Sequence, residues 1–205
     1  MRIIFVGASG HGKVCAEIAK LSNRYEEILF LDDDTSVNKC GKYDVIGTSN
    51  DIGKYIDDQT EFFVSIGIHV HRSRVQEQIE TAGGTVATLI HSQAIISEDV
   101  IIGVGSVVMP GAVINTGTRI GKGVIVNTSS SIDHDCTIEN WIHVAVGAHL
   151  CGTVNVGENT WIGAGATISN NIIVGNDISV GAGAVVVKDI SEKGTWIGVP
   201  ARKRE

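Results

Sequence analysis

The sequence predicts a small parallel α/β unit over residues 1–84, followed by an all-β domain of hexapeptide repeats over residues 85–205. From Ile90 to Val186 every sixth residue is Ile, Val or Leu, seventeen positions without a break, although these types supply only 58 of the 205 residues. A period of six suits neither a helix at 3.6 nor an alternating strand. It is the period of a parallel β-helix whose short flat sides stack. Before residue 85 that period is absent, and strand and helix patterns alternate behind a Gly-rich first turn, as in parallel α/β units.

In the first unit, Arg2–Val6 reads as a buried strand and Gly7–Gly12 as a tight turn. Lys13–Leu21 reads as a helix with Val14, Ile18 and Leu21 on its apolar side. A second strand, Glu27–Leu31, runs into Asp32, Asp33 and Asp34. Glu61–Ile66 reads as a further strand closing on Gly67, Arg72–Thr81 as a helix, and Gly83-Gly84 as the break before the repeats. Glycine-rich amides at a helix N-terminus favour an anionic diphosphate. The spacing is G-x-x-G-x-G, however, and the unit has few strands, so half a dinucleotide fits better than a whole one. Carboxylates at the end of the second strand can accept hydrogen bonds from a ribose or a base edge.

In the second domain three hexads make one turn of a triangular coil. The phased aliphatics point inward, and each turn depends on its neighbours for burial. Seventeen hexads give between five and six turns, a prism about 25 Å tall at roughly 4.8 Å per strand. Four residues after each aliphatic the side chain is mostly small, as at Ser106, Ala112, Thr118, Ser130, Ala148, Thr160, Ala166 and Ala184. Ile142, Ile172, Ile178 and Ile190 break that rule and suggest a wider or terminal turn. Asn and Gly recur at corners, where positive φ is cheapest for them. No insertion interrupts the repeat, so an active site must be built from the coils.

Net charge is −7, and the only basic run is Arg202, Lys203 and Arg204, which argues against nucleic acid as a partner. Cys15, Cys40, Cys136 and Cys151 show no metal or disulfide spacing, as expected of reduced thiols in a cytoplasmic protein. Neither a signal peptide nor a stretch long enough to span a membrane is expected.

The two halves together are more specific than either. Gly7-Ala8-Ser9-Gly10-His11-Gly12 after the first strand, Leu31-Asp32-Asp33 after the second, Ser65-Ile66-Gly67, and Asn127-Thr128-Ser129-Ser130-Ser131-Ile132-Asp133-His134-Asp135 in the repeats resemble the nucleotide-sugar N-acetyltransferases. The match is to the PglD-like group, which acetylates the C4 amine of a UDP-4-amino-4,6-dideoxy-N-acetylhexosamine on the way to UDP-N,N'-diacetylbacillosamine-type sugars of bacterial glycans. Sialic acid O-acetyltransferases and GDP-perosamine N-acetyltransferases share the layout. The resemblance implies a Rossmann-like first domain, a left-handed β-helix, a homotrimer, acetyl-CoA as donor and a nucleotide amino sugar as acceptor.

Acyl transfer from a thioester to an amine needs a base and a stabilised oxyanion. A histidine beside a carboxylate suits the first task, and the resemblance makes His134 the base. The family's neighbouring Glu is here Asp135, one methylene shorter, which leaves Asp135 and Asp133 both open as the tuning group. Stacking arithmetic places Gly152, eighteen residues on, at the equivalent corner of the next turn, where its N–H can serve the oxyanion. The resemblance further implies acetyl-CoA contacts at His143, Ala164 and Ala182. It implies diphosphate contacts at Ser9, Gly10 and His11, nucleoside contacts at Asp32 and Asp33, and a close approach to the sugar at Gly67. The tail Gly194–Ala201 is expected to fold over the CoA groove, with Arg202, Lys203 and Arg204 toward its phosphates. The residues around His134 do not separate an amine acceptor from a hydroxyl, so O-acetylation, as of a sialic acid, stays open, and two further rivals remain. One is a γ-carbonic-anhydrase-like zinc enzyme using His134, His143 and His149, although no metal is expected; the other is a non-enzymatic nucleotide-sugar sensor.

Overall fold

The computed structural model describes residues 1–204. It divides into two compact units, Met1–Ser92 and residues 93 onward.

In the first unit a parallel sheet is built from β1 (Arg2–Val6), β2 (Glu27–Leu31), β5 (Thr60–Val64) and β6 (Thr85–Val86), in the order β2-β1-β5-β6. A short hairpin of β3 (Lys39–Cys40) and β4 (Tyr43–Asp44) follows β2. Helices α1 (Gly10–Leu21) and α2 (His69–Thr81) make the crossovers. Ile3, Ile4 and Phe5 of β1 are fully buried, as a central parallel strand covered on both faces requires. Phe5 stacks on Phe30 of β2 at 5.1 Å between ring centroids. Thr85 and Val86 pair with Glu61 and Phe62, so the chain after Gly83-Gly84 completes this sheet. The units consequently divide after Ser92, not after residue 84.

Helix α1 starts at Gly10, three residues before the spacing suggests, and buries Gly12, Cys15, Ala16, Ile18 and Ala19. Val14 and Leu21, expected on the apolar side, are exposed. The cause is close packing: a Cβ on Gly12 would lie 2.5 Å from the Gly7 carbonyl oxygen and 3.0 Å from the Phe30 ring. Only small side chains fit that approach, so the buried stripe is the small one.

The second unit is a parallel β-helix of two-residue strands stacked at a register of eighteen. One face runs Ile95–Ile96, Val113–Ile114, Ser131–Ile132, His149–Leu150, Thr167–Ile168 and Val185–Val186. The face after it in each turn begins at Ile101–Ile102 and ends at Ile173–Val174; the face before it carries His143–Val144 and Trp161–Ile162. The phased aliphatics from Val108 to Val186 form one buried column-packed core. Ile90 departs from the expectation and is 47% exposed, while Ile96 and Ile102 are half-buried. A terminal turn is covered by a neighbour on one side only.

The small-residue positions are buried throughout, and Ile142, Ile172, Ile178 and Ile190 are buried in the same columns. Ile142 lies in the middle of the stack, so a terminal turn is not the reason for its size. Small and large residues share these columns, and the hydroxyls among them repay their burial with hydrogen bonds. Thr118 Oγ1 donates to the Asp133 carbonyl at 2.8 Å and accepts from Cys136 N–H at 3.2 Å. Ser106 and Thr160 repeat the arrangement.

At fourteen successive corners, from Gly105 to Gly183 in steps of six, the chain has positive φ. Gly, Asn and Asp account for most of them, but Ser129, Trp141 and Thr153 adopt the same conformation, with φ of 53°, 63° and 61°. The glycines directly after the aliphatics have another purpose. A Cβ on Gly121 would sit 2.7 Å from the Glu139 carbonyl carbon, so they permit one turn to lie on the next.

The tail extends the β-helix. Gly194–Ile197 adds in parallel to Ile178–Val180, and Arg202–Lys203 returns antiparallel along it, with Lys203 paired to Glu192. No described helix is long and apolar enough to cross a membrane.

These two kinds of glycine should behave differently in denaturant unfolding. Gly121→Ala meets backbone and is expected to cost about 1–3 kcal/mol. Gly165→Asn, at φ +66° with open space around its Cβ, should stay within about 0.5 kcal/mol of the parent. Equal midpoints for the two variants would show that stacking clearance is not what Gly121 provides.

Candidate active site

His134 and Asp135 occupy the corner between the strands Ser131–Ile132 and Thr137–Ile138. Asp135 has φ +57°. Its amide donates to the Thr116 carbonyl at 3.0 Å, and the His134 carbonyl accepts from Thr153 N–H at 2.9 Å. The corner is thus tied to the turns on both sides.

His134 Nδ1 lies 2.8 Å from Asp135 Oδ2. A carboxylate only accepts, so Nδ1 carries the proton and Nε2 presents its lone pair. The hydrogen bond to Asp135, with the charges of Asp133 and Asp135 behind it, raises the pKa of His134 above the usual imidazole value. Asp133 has a different task. Its Oδ1 accepts from Asn115 Nδ2 at 2.8 Å and from His134 N–H at 2.9 Å, and these bonds hold its carboxyl below the ordinary range. Asp135 therefore addresses the ring and Asp133 the backbone.

Two glycines make room for this pair. A Cβ on Gly152 would lie 2.5 Å from His134 Nε2, and one on Gly117 would lie 2.4 Å from Asp135 Oδ1. The imidazole rests against the turn above and the carboxylate against the turn below. Gly152 is buried beneath the ring, and its N–H meets no acceptor among the described residues. Sequence reasoning did not single out Gly117; the same eighteen-residue arithmetic applied to Asp135 would have found it.

His143 lies on the strand preceding that corner's face, in register with Trp161 one turn on. Asn127 Nδ2 is 3.0 Å from His143 Nε2, while Asn127 Oδ1 accepts from Thr128 N–H at 2.8 Å. The amide nitrogen therefore faces the ring, which makes Nε2 the acceptor. Asn127 belongs to the motif quoted above, but nothing in the sequence links it to His143. Ala164 and Ala182 are exposed at successive levels of one corner, joined by the Gly183 N–H to Ala164 carbonyl bond at 2.9 Å. That corner and the His134 corner are different edges of the prism. Among the described residues no three His, Cys, Asp or Glu side chains converge as metal ligands would.

In the first unit, Ser9, Asp32, Asp33 and Gly67 line one cavity of about 380 Å³ with Gly7, Ser65, Ile66 and Ile68. Ser9 is the N-cap of α1 yet makes no side-chain cap bond, which leaves the first-turn amides oriented for an anion. A Cβ on Gly10 or Gly67 would meet nothing within 4 Å; both flank open space. Asp32 already spans the turn, accepting from Ala8 N–H at 2.6 Å and Asp34 N–H at 2.9 Å. Asp33 accepts from Ser49 N–H at 2.8 Å. These carboxylates shape the site as well as facing it. Burial, with the positive charge of Arg72 nearby, lowers the His11 pKa to about 4. His11 is neutral at physiological pH and can offer a phosphate a hydrogen bond but no charge.

Comparison with known proteins agrees with this arrangement. Residues 2–79 match the PglD N-terminal domain family. GDP-perosamine N-acetyltransferase of Escherichia coli O157:H7 is 30% identical over 164 residues, 77% of this chain and 73% of the relative. UDP-N-acetylbacillosamine N-acetyltransferase of Bacillus subtilis strain 168 is 34% identical over 110 residues, covering 52% of this chain and 50% of that protein. The acetyltransferase domain of PglB from Neisseria gonorrhoeae FA1090, solved with acetyl coenzyme A, superposes with a TM-score of 0.96 at 39% identity, covering 99% of this chain and 98% of that one. The cavity at the α1 N-terminus, the histidine corner of the β-helix and these matches together assign the chain to the PglD-like family of acetyl-CoA-dependent nucleotide-sugar acetyltransferases.

Proposed function

We propose that this chain moves the acetyl group of acetyl-CoA to the C4 amine of a UDP-4-amino-4,6-dideoxy-N-acetylhexosamine, with His134 as general base. The observation that carries this reading is the His134–Asp135 pair set against Gly152. Nε2 takes a proton from the acceptor amine as its nitrogen attacks the thioester carbonyl carbon. The Gly152 N–H faces the oxyanion of the tetrahedral intermediate. The C–S bond then breaks, and the imidazolium returns its proton to the leaving thiolate. In the first unit, Ser9, Gly10 and His11 take the diphosphate, Asp32 and Asp33 the nucleoside, and Gly67 the approach of the sugar. A bacillosamine relative supports a UDP sugar; the perosamine relative makes GDP-perosamine the second candidate. Four free thiols and the acetyl-CoA requirement favour the cytoplasm.

His134→Ala is expected to lower kcat by at least about 10²-fold with the fold intact; activity within a few-fold of the parent removes His134 from the chemistry. Asp135→Asn keeps a residue that tolerates positive φ but removes the charge that raises the imidazole pKa. The base then stays unprotonated to lower pH, so the acidic limb of the pH–rate profile should move downward. An unmoved limb rules out Asp135 as the tuning group. Gly152→Ala forces the ring off its seat and should cut kcat well before it affects the melting temperature. Each enzyme is assayed by thiol release with acetyl-CoA and either UDP-4-amino sugars or GDP-perosamine.

His143, Ala164 and Ala182 stand on other parts of the prism than His134. We therefore propose a homotrimer whose grooves, each lined by two β-helices, bring the base of one chain to the CoA contacts of the next, in closed cyclic symmetry. Mixing His134→Ala chains with Ala164→Trp chains should restore part of the activity through hybrid grooves. A fully active monomer by light scattering would sink the shared site.

A further inference from the structure

Arg72 of α2 has only 1% of its surface exposed, a costly place for a guanidinium. Its Nη1 donates to the Ile66 carbonyl at 2.9 Å and to the Gly67 carbonyl at 2.6 Å. Both residues line the cavity at the α1 N-terminus, so the guanidinium pins one wall of it. Its charge, after burial, also lowers the pKa of His11 on the first turn of α1. Arg72 thus lies behind the β5–α2 turn that walls the site.

Other features of the surroundings point the same way. Neither α1 nor α2 has a side-chain N-cap bond or an acidic residue in its first turn, so the N-terminal dipoles of both helices are uncompensated. His11 is neutral, and Lys13, the cation on the first turn of α1, is exposed and screened by water and salt. Asp32 and Asp33 line the nucleoside end of the cavity; the buried positive charge behind its Ile66–Gly67 wall is Arg72, and in a low-dielectric setting it acts on an anion more strongly than a solvated lysine can.

We propose that Arg72 is a positioning residue for the anionic end of the acceptor: it fixes the Ile66–Gly67 turn and supplies the field that selects a diphosphate over a monophosphate or a nucleoside. This rests on the nucleotide-sugar reading. The test is calorimetric binding of UDP, UMP and uridine, and of GDP, GMP and guanosine, to the full chain and to its Arg72→Met and Arg72→Lys variants. The parent should bind the diphosphate more tightly than the monophosphate, and that more tightly than the nucleoside. Arg72→Met should weaken the diphosphate by about 10–100-fold while leaving the nucleoside nearly unchanged, and Arg72→Lys should recover much of the difference. Because the comparison is a ratio within one protein, a partly unfolded variant still reports it. Parallel loss of all three ligands would show that Arg72 only shapes the pocket, and unchanged affinities for all three would show that it does neither; both overturn the proposal and leave the acetyltransferase reading standing. A parent chain that binds neither UDP nor GDP overturns the nucleotide-sugar reading and this proposal with it.

Discussion

From Gly123 to Gly183 the amide of each left-handed corner residue in the β-helix donates to a carbonyl nineteen residues earlier, as in Asp135 to Thr116, Thr153 to His134 and Asn171 to Gly152. This repeated bond ties each of these corners to the turn before it. A left-handed conformation costs an ordinary L-residue roughly 1–2 kcal/mol, yet Trp141 and Thr153 accept it. Their corners are held by hydrogen bonds from neighbouring turns and by the apolar columns inside. Stacking overrides the local preference because each coil has no stability of its own.

The proposed chemistry borrows that rigidity. An imidazole that must take a proton in one direction has to be held against rotation, and here it is held by a carboxylate at the same corner and by the floor of the next turn. The carboxylate is in turn carried by a left-handed residue. Asp is among the residue types that tolerate that conformation, so one residue satisfies both the corner and the imidazole it orients. In the first unit the same economy appears in Asp32, which bridges two stretches of backbone and faces the cavity.

The repeat was legible because its signal is one-dimensional: a residue's phase modulo six says whether it points inward, and its partner lies at plus or minus eighteen. That arithmetic sets Gly152 against His134, as the structure does. It misplaced Ile90, because periodicity carries no information about where a stack ends, and it could not anticipate Trp141 at a corner, since that conformation is imposed from outside the segment. The first unit was less legible. Val14 and Leu21 obey helical spacing but lie outside, because closeness of packing, not hydrophobicity, selects the buried stripe of α1. Arg72 resembled any polar helical residue; only burial and the carbonyls it holds mark it out.

The six-residue spacing of the corners acts on the protein as a reading frame acts on a message. Inserting or deleting one residue within a coil would put every later aliphatic out of phase, moving core side chains to solvent and turning corners into faces. The damage would propagate to the chain's end, as after a frameshift. Viable length changes in this domain are therefore whole turns, or loops pushed outward at a corner without disturbing the count. New acceptor specificity must arise by exchange of side chains on an unchanged frame, or in the first unit, where the sheet imposes no such count.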